Sequence, residues 1–157
     1  MSMRHLSTAG DLSELHVEIG HRLAVSGQRY SPVRRQIVDA LASSDRPLSV
    51  ADLIASVPDL AMSSAYRNLG VLAEVGAVDR VATDDEAARY ELAEEVTDRH
   101  HHHLVCTVCG LVLDYEPPSE LERRVTSDLD DVTQAVGFTP DSHRLDLFGR
   151  CAECVNA

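Results

Sequence analysis

The sequence predicts an α+β fold in which an N-terminal winged helix-turn-helix is followed by a small α/β unit with a four-cysteine site. Three observations predict it: apolar residues at helical spacing before Gly76, strand-like segments after it, and two Cys-x-x-Cys pairs in the second half. The chain has 157 residues, 44% of them apolar, which suffices for one medium domain or two small ones. We expect the first domain at residues 1–83, with wing strands extending to about residue 92, and the second at residues 93–157.

The first two helices are predicted from apolar residues at helical spacing and from their start and stop signals. One covers residues 12–23 and ends near Gly27, a residue that suits a helix C-terminus. The other begins with Ser31 as its N-cap and has Pro32 in its first turn. The first domain therefore starts with two amphipathic helices.

Two further helices are predicted before Gly76. Ser49 and Asp52 have the spacing of a capping box, which predicts the start of a short third helix. Ser63 or Ser64 is the expected N-cap of the fourth helix. The fourth helix precedes the segment in which the apolar period changes.

Strand-like segments follow Gly76. Residues 78–81 and 87–92 predict a two-stranded wing, with the polar run at residues 83–86 between them. Residues 101–105 and 111–115 predict two more strands, joined by a turn that bears cysteines. A long amphipathic helix is expected to begin with Ser119 and Glu122, and two roles are open to the carboxylate of Glu122, as capping-box partner of Ser119 or as metal ligand. Residues 143–148 alternate as a final strand.

The charge of the chain excludes some classes of function. The net charge is −12, and all 14 basic residues are arginine. Without lysine, catalysis by a Schiff base or a P-loop lysine is excluded. Residues 81–157 carry 17 of the 26 acidic residues and 6 arginines, whereas residues 1–80 are near neutral. Indiscriminate binding of nucleic acid is therefore not expected, and any contact with DNA must come from a local arginine patch.

The two Cys-x-x-Cys pairs are the most specific motif in the chain. Cys106 and Cys109 form one pair, and Cys151 and Cys154 form the other. We find no targeting signal or membrane span, so we expect a cytoplasmic protein whose thiols stay reduced. Two such pairs then predict a closed tetrahedral zinc site with a structural role. The alternatives are a redox-active pair or four unrelated buried thiols.

A tract of four histidines precedes the first cysteine pair. In an extended strand, successive side chains point to opposite faces. His100 and His102 would therefore share one face, and His101 and His103 the other. One strand can thus donate two imidazoles to each of two metal sites, with carboxylates or a further histidine completing them.

These residues, in this order, resemble the ferric uptake regulator superfamily of metal-responsive transcriptional repressors. The motifs that carry the resemblance are SAYRNL at residues 64–69, HHHHLVCTVCG at residues 100–110 and HRLDLFGRCAEC at residues 143–154. The resemblance implies an N-terminal DNA-binding winged helix, a hinge and a C-terminal dimerisation domain. It also implies a homodimer that binds a palindromic double-stranded operator, with no membrane and no small organic substrate as partner.

The resemblance implies three metal sites. The four cysteines match the structural zinc site. A site inside the dimerisation domain is matched by His100, His102, Glu122 and His143. The hinge-side sensing site is matched by His101 and His103, with Glu91 as in iron-type members, Asp79 as in zinc-sensing members, or Asp114 as in others.

Two departures from the family pattern bear on the sensed metal. Pro47 stands where the iron, peroxide and nickel branches have a histidine, and Ala93 stands where zinc-sensing relatives have a cysteine. Imidazole and carboxylate then remain as ligands. They accept Zn²⁺ or Fe²⁺, and also Mn²⁺ or Ni²⁺, as co-repressor.

The resemblance also implies which residues contact DNA. Tyr66 and Arg67 lie early in the expected recognition helix, whose N-terminal residues reach base edges in the major groove. Ser64 belongs to the same motif. Arg29 and Arg34 are expected to contact phosphates and fix the register.

Three other functions are alternatives to a metal-dependent repressor. A zinc hydrolase needs an open metal position and a general base, and no HExxH-type spacing occurs in the sequence, so we do not expect an enzyme. A zinc-ribbon adaptor that binds only proteins is a second alternative. A peroxide-sensing member of the same superfamily, which oxidises an iron-ligating histidine, is a third.

Overall fold

A computed structural model describes residues 9–81, 88–97 and 100–156. The chain forms two compact units, Met1–Arg99 and His100–Ala157. The polar run at residues 83–86, where the sequence changes character, lies outside the described residues. Within the described residues, none of the helices combines the length and the apolar character needed to cross a membrane.

The first unit is a helical bundle with a small antiparallel sheet. Its helices are α1 (Ala9–Val25), α2 (Pro32–Ala42), α3 (Val50–Ser56), α4 (Met62–Glu74) and α5 (Glu94–Thr97), and its strands are β1 (Leu48–Ser49), β2 (Val78–Val81) and β3 (Arg89–Leu92). The strand order is β1-β3-β2. The predicted helices and wing are present, whereas β1 and α5 are too short for the sequence pattern to have shown them.

One aliphatic cluster holds the first unit together. Side chains from α1 to α4 meet in it with less than 1% of their surface exposed, among them Ile19, Ile37, Leu53 and Leu69. Val78 on β2 and Leu92 on β3 pair with each other and close the cluster from the side of the sheet. Burial of each such side chain stabilises a fold by about 1.5–3 kcal/mol, so this unit has a substantial core.

The predicted helix caps are confirmed at α2 and α3. Ser31 accepts the N–H of Arg34 at 3.3 Å, and Pro32 is the first residue of α2. Asp52 donates its N–H to Ser49 Oγ at 3.1 Å and accepts the N–H of Ser49 at 2.9 Å. These two reciprocal bonds complete the capping box.

The predicted cap of α4 is wrong. The helix begins at Met62 after Ala61, with no side-chain cap, so both Ser63 and Ser64 lie in its first turn. Ser64 accepts hydrogen bonds from the side-chain amide of Asn68, at 2.8 Å to its carbonyl oxygen and 3.2 Å to Oγ. Apolar spacing located the helix but did not distinguish a cap from a first-turn serine.

The second unit is a three-stranded sheet with one long helix. Its elements are β4 (His102–Cys106), β5 (Val112–Tyr115), α6 (Ser119–Ala135), β6 (Leu147–Gly149) and α7 (Ala152–Val155). The strand order is β5-β4-β6, with β4 antiparallel to β5 and parallel to β6. The central strand β4 therefore carries the histidine tract into the first cysteine pair.

The structure corrects one prediction for the second unit and decides between two alternatives for Glu122. The final strand begins at Leu147 rather than at residue 143, since the N–H of Leu145 donates to Nδ1 of His102 at 3.3 Å and not to a neighbouring strand. Helix α6 begins at Ser119 but has Pro118 as its N-cap, with no side-chain cap, so the capping box, one of the two roles open to Glu122, does not form. The carboxylate of Glu122 faces histidines instead.

The second unit has little apolar core of its own. Of the buried apolar residues in the described part of the chain, only Val105, Cys106 and Val112 belong to it. None of the residues of α6 is buried, although the helix is amphipathic; Val132 is 64% exposed. The packing that stabilises this unit must therefore include something besides its own apolar side chains.

Candidate metal centres

The four cysteines lie together where the β4–β5 turn meets the start of α7. Cys106 ends β4, and Cys109 follows in a turn closed by Gly110, whose φ of 69° is readily adopted by glycine. Cys151 is the N-cap of α7, and Cys154 lies within that helix. The four sulfurs all lie within 4.8 Å of one another.

The cysteine cluster favours the thiolate of Cys106 and disfavours that of Cys154. Hydrogen bonds from backbone N–H groups, foremost that of Cys151 at 3.3 Å, lower the pKa of Cys106 to about 6. The neighbouring sulfurs, foremost those of Cys151 and Cys109, raise the pKa of Cys154 to about 12. Four adjacent thiolates repel one another unless a cation lies among them. The donor set and its spacing therefore fit a tetrahedral Zn²⁺ ion.

A second cluster combines three imidazoles and one carboxylate. His102 is the first residue of β4 and His100 lies just before that strand, whereas Glu122 comes from α6 and His143 from the loop before β6. Nε2 of each histidine lies within 3.2 Å of a Glu122 oxygen, at 3.2 Å for His100, 3.1 Å for His102 and 2.8 Å for His143.

The contacts of the second cluster fit a metal site. The buried Nε2 of His143 has no hydrogen-bond partner among the described residues, despite lying 2.8 Å from the carboxylate. Burial raises the pKa of Glu122, but the hydrogen bond from His102 and the charges of the histidines outweigh it and hold the net pKa below its ordinary value. A carboxylate that stays ionised beside three imidazoles suits a divalent cation.

A third cluster forms on the opposite face of β4. The ligand atoms of His101, His103 and Asp114 lie within 4.8 Å of one another. His103 and Asp114 are register partners on β4 and β5, and Nε2 of His103 lies 3.9 Å from Oδ1 of Asp114. The strand thus separates the four histidines by face, as the alternation predicted.

One residue that contacts the third cluster was not predicted from the sequence. Asp146, from the loop before β6, lies with Oδ1 3.0 Å from Nδ1 of His103. Nothing in the sequence linked two residues 43 positions apart. The alternation of residues 143–148 was the only available signal, because it put Asp146 on the face opposite to His143.

Asp79 and Glu91 lie in the first unit. They are direct partners across the antiparallel pair of β2 and β3, and both are half-buried. The strand β3 ends one residue later, at Leu92, and is followed by α5. Both carboxylates are therefore carried by the wing, as expected.

The first two turns of α4 carry an exposed polar surface. Tyr66 is 53% exposed and Arg67 is also exposed. The next residue, Asn68, is turned inward, where its Oδ1 accepts a hydrogen bond from Nε of Arg34 at 3.1 Å. An α-helix that exposes an aromatic ring and a guanidinium at its N-terminal end is suited to reading the major groove.

The guanidinium of Arg34 is already engaged within the first unit. Besides Asn68, it donates to the carbonyl oxygen of Arg29 and, at 3.4 Å, to Oε1 of Gln28. Arg29 itself is exposed. Arg34 thus links the start of α2 to the exposed helix α4, a link that the sequence did not show.

Comparison with known proteins gives one consistent family. A model described as the ferric uptake regulator family matches residues 25–148. The ferric uptake regulation protein of Bacillus subtilis (strain 168) is 30% identical over 142 residues, which cover 87% of this chain and 91% of that protein. The peroxide operon regulator of the same strain is 28% identical over 140 residues, with 84% and 88% covered.

A solved structure agrees over the whole chain. The Helicobacter pylori ferric uptake regulator Fur, whose structure is described as revealing three functional metal binding sites, has a TM-score of 0.76. It is 25% identical, and the match covers 99% of each chain. The α+β fold with a winged helix and a cysteine-bearing second unit is therefore confirmed.

Proposed function

Because the chain belongs to the ferric uptake regulator family, we propose that it is a metal-dependent repressor that binds a palindromic operator as a homodimer, with a divalent metal ion as co-repressor. The observation that carries this proposal is the distribution of four consecutive histidines between two donor clusters on opposite faces of β4. Members of the family are transcriptional regulators and not enzymes. In the cytoplasm, where we expect this one to act, thiols stay reduced.

We assign a structural Zn²⁺ to the cysteine cluster. Four thiolates form a closed site without an open position for a substrate. Zinc there joins the turn after β4 to the N-terminus of α7, two segments about 40 residues apart. The imidazole and carboxylate cluster built around Glu122 is assigned to a second divalent ion inside the dimerisation domain, with His100, His102 and His143 as its other ligands.

We assign the co-repressor to the cluster of His101, His103 and Asp114. A carboxylate of the wing, Glu91 or Asp79, is proposed to complete it, because such a ligand set fixes the angle between the two units. Imidazole and carboxylate donors accept Zn²⁺ or Fe²⁺, and also Mn²⁺ or Ni²⁺. The ion binds the DNA-competent arrangement better than the others and so shifts the population towards it.

We propose that the first unit, with its DNA-binding part at residues 1–83 and the wing to about residue 92, reads the operator. Arg67 pairs with a guanine and Tyr66 contacts a thymine methyl or a phosphate. Arg29 contacts the phosphate backbone near Ser64 and the start of α4. Arg34, expected from the sequence to contact phosphate, is better suited to orienting α4, since its guanidinium already donates to Asn68 and to the carbonyl oxygen of Arg29.

Dimerisation is assigned to residues 93–157. The exposed apolar stripe of α6 supports it, since Leu129 and Val132 are 41% and 64% exposed within the single chain. Phe148 on the edge strand β6 is 51% exposed. A second copy that covers these side chains supplies the core that the second unit lacks. The two recognition helices are then related by a two-fold axis, which is what a palindromic site requires.

The test is a DNA-binding titration of wild type and His101→Ala. A duplex is first selected from a random pool with the wild-type protein and metal. Binding is then measured by fluorescence anisotropy at buffered free Zn²⁺, Fe²⁺, Mn²⁺ and Ni²⁺. We expect His101→Ala to lose metal-dependent binding while remaining a folded dimer. His21→Ala, which removes an exposed histidine of α1, is the matched control and should bind as wild type does.

Two results would contradict the assignment. Normal metal dependence in His101→Ala would remove His101 from the co-repressor site. Failure of every metal to select a duplex from the pool would favour the adaptor that binds only proteins. Addition of peroxide to the iron-loaded protein tests the remaining branch, because a peroxide sensor gains one oxygen atom on His101 or His103, which mass spectrometry detects.

A further inference from the structure

The contact between Asp146 and His103 gives the loop before β6 a role in the third cluster. Oδ1 of Asp146 lies 3.0 Å from Nδ1 of His103, and the His103 side chain is 2% exposed. The Asp146 side chain is 17% exposed. On the other side of the same ring, Nε2 lies 3.9 Å from Asp114. The imidazole is therefore held between two carboxylates, one in hydrogen-bonding contact and one beyond it.

The hydrogen bond to Asp146 favours one tautomer of His103. A neutral imidazole has one N–H donor and one acceptor nitrogen. A carboxylate only accepts, so the bond to Asp146 puts the proton on Nδ1. Nε2 is then deprotonated and directed towards Asp114, which is the state that a divalent cation requires.

A second residue of the same loop acts in the opposite sense. Nη2 of Arg144 lies 3.2 Å from the same Nδ1. A guanidinium only donates, so a bond from Arg144 needs a bare Nδ1 and leaves the proton on Nε2. The two contacts therefore favour different tautomers, and only the one with Asp146 prepares Nε2 for a metal ion.

We propose that Asp146 is a positioning residue of the co-repressor site, fixing the orientation and tautomer of His103 without binding the metal itself. The proposal rests on the assignment of His101, His103 and Asp114 as that site. Partners that hydrogen-bond a metal-binding histidine in this way typically change metal affinity by about 10- to 100-fold when they are removed. Asp146 is thus a determinant of the metal concentration to which the protein responds.

The test is a Zn²⁺ titration of the full-length protein against a fluorescent chelator, in the absence of DNA. The binding step that is lost in His101→Ala identifies the site. Asp146→Ala should weaken that step by about 10- to 100-fold. Asp146→Asn should restore part of the affinity, because its amide oxygen still accepts the N–H of His103. Arg144→Leu should leave the affinity equal or higher, since it removes the competing donor and a positive charge.

Further measurements separate positioning from a fold defect. Asp141→Asn, an exposed change in the same loop, should titrate as wild type does. The nitrogen resonances of His103 should report a proton on Nδ1 in wild type, and a mixture of tautomers in Asp146→Ala. Retention of cysteine-bound zinc by Asp146→Ala shows that the second unit is intact.

The outcomes distinguish this inference from the proposed function. If wild type and His101→Ala titrate identically, the co-repressor site itself is misassigned. If His101→Ala loses a step that Asp146→Ala keeps at wild-type affinity, the site stands and the role of Asp146 is refuted. An equal loss in Asp146→Ala and Arg144→Leu would also overturn it, because the two residues would then act only as packing.

Discussion

Substitution of Cys151 by serine should unfold the second unit and leave the first unit folded. Cys151 is the N-cap of α7, and serine is among the best N-cap residues. Cys151→Ser therefore removes one thiolate without removing the cap. Any loss of stability can then be attributed to the metal site.

The size of the effect follows from how little else holds the second unit together. Its buried apolar residues, among those described, are Val105, Cys106 and Val112. A structural zinc site contributes about 10–16 kcal/mol in small zinc-dependent domains, whereas a whole domain is stable by about 5–15 kcal/mol. The free energy lost with the zinc ion should therefore exceed the free energy of unfolding of this unit. The aliphatic cluster lies entirely in the first unit, so loss of zinc from the second unit should leave it intact.

Hydrogen exchange followed by mass spectrometry resolves the two units in one experiment. We expect peptides from β4 and β6 to lose protection in Cys151→Ser, together with the zinc that wild type retains against a chelator. Peptides from α2 and α4 should stay protected. Glu153→Gln, an exposed change in α7, is the matched control. Wild-type protection of β4 in a zinc-free variant would refute the structural role of the metal.

Four further predictions follow from single side chains. Arg67→Ala should weaken operator binding by about 1–3 kcal/mol per protomer and reduce discrimination against substituted duplexes, as measured by anisotropy. Arg34→Met should weaken binding without changing its salt dependence. Loss of a phosphate contact would instead make the slope of log K against log salt concentration shallower by about 0.9 per protomer. Val132→Asp should raise the dimer dissociation constant at least about 100-fold in analytical ultracentrifugation, since an unpaired carboxylate in an apolar interface costs several kcal/mol. Asp52→Ala should destabilise the first unit by about 1 kcal/mol above pH 4. Burial raises the pKa of Asp52, but the hydrogen bonds with Arg46 and Ser49 outweigh it and lower this pKa from its ordinary value of 3.8 to about 2. The difference in thermal melts should therefore shrink as the pH falls below 4 and be lost as it falls through about 2.

The elements that the sequence predicted well are those with a local cause. Apolar spacing and the capping box of Ser49 located the helices of the first unit, because both depend on residues at most four positions apart. The sequence was less informative where contacts between residues far apart in the chain determine the local structure. Glu122 has the local spacing of a capping box, yet three histidines, two of them on or beside β4, draw its carboxylate away from the helix N-terminus.

The metal clusters show the same division. The spacing of the cysteines and the alternation of the histidines depend on the chain itself, so both groupings could be predicted. Asp146 could not, since its contact with His103 depends on how the loop before β6 crosses β4. Nor could the bond between Arg34 and Asn68, which depends on the packing of α2 against α4.

The position of β4 explains why the three clusters should not act independently. This strand is the central one of its sheet. It supplies His102 to the second cluster, His103 to the third cluster and Cys106 to the cysteine cluster. Adjacent residues of one strand cannot move independently, because a shift of the backbone at one residue also reorients the side chains of its neighbours. With so small an apolar core around it, the strand depends on those ligands for its order. An ion bound on one face therefore reduces the freedom of the donors on the other face, so a second ion orders fewer groups when it binds. For this reason we expect operator binding to rise more steeply with free metal concentration than a single site would allow. The rise should also be steeper in wild type than in a variant that lacks His143, the ligand from the same loop as Asp146.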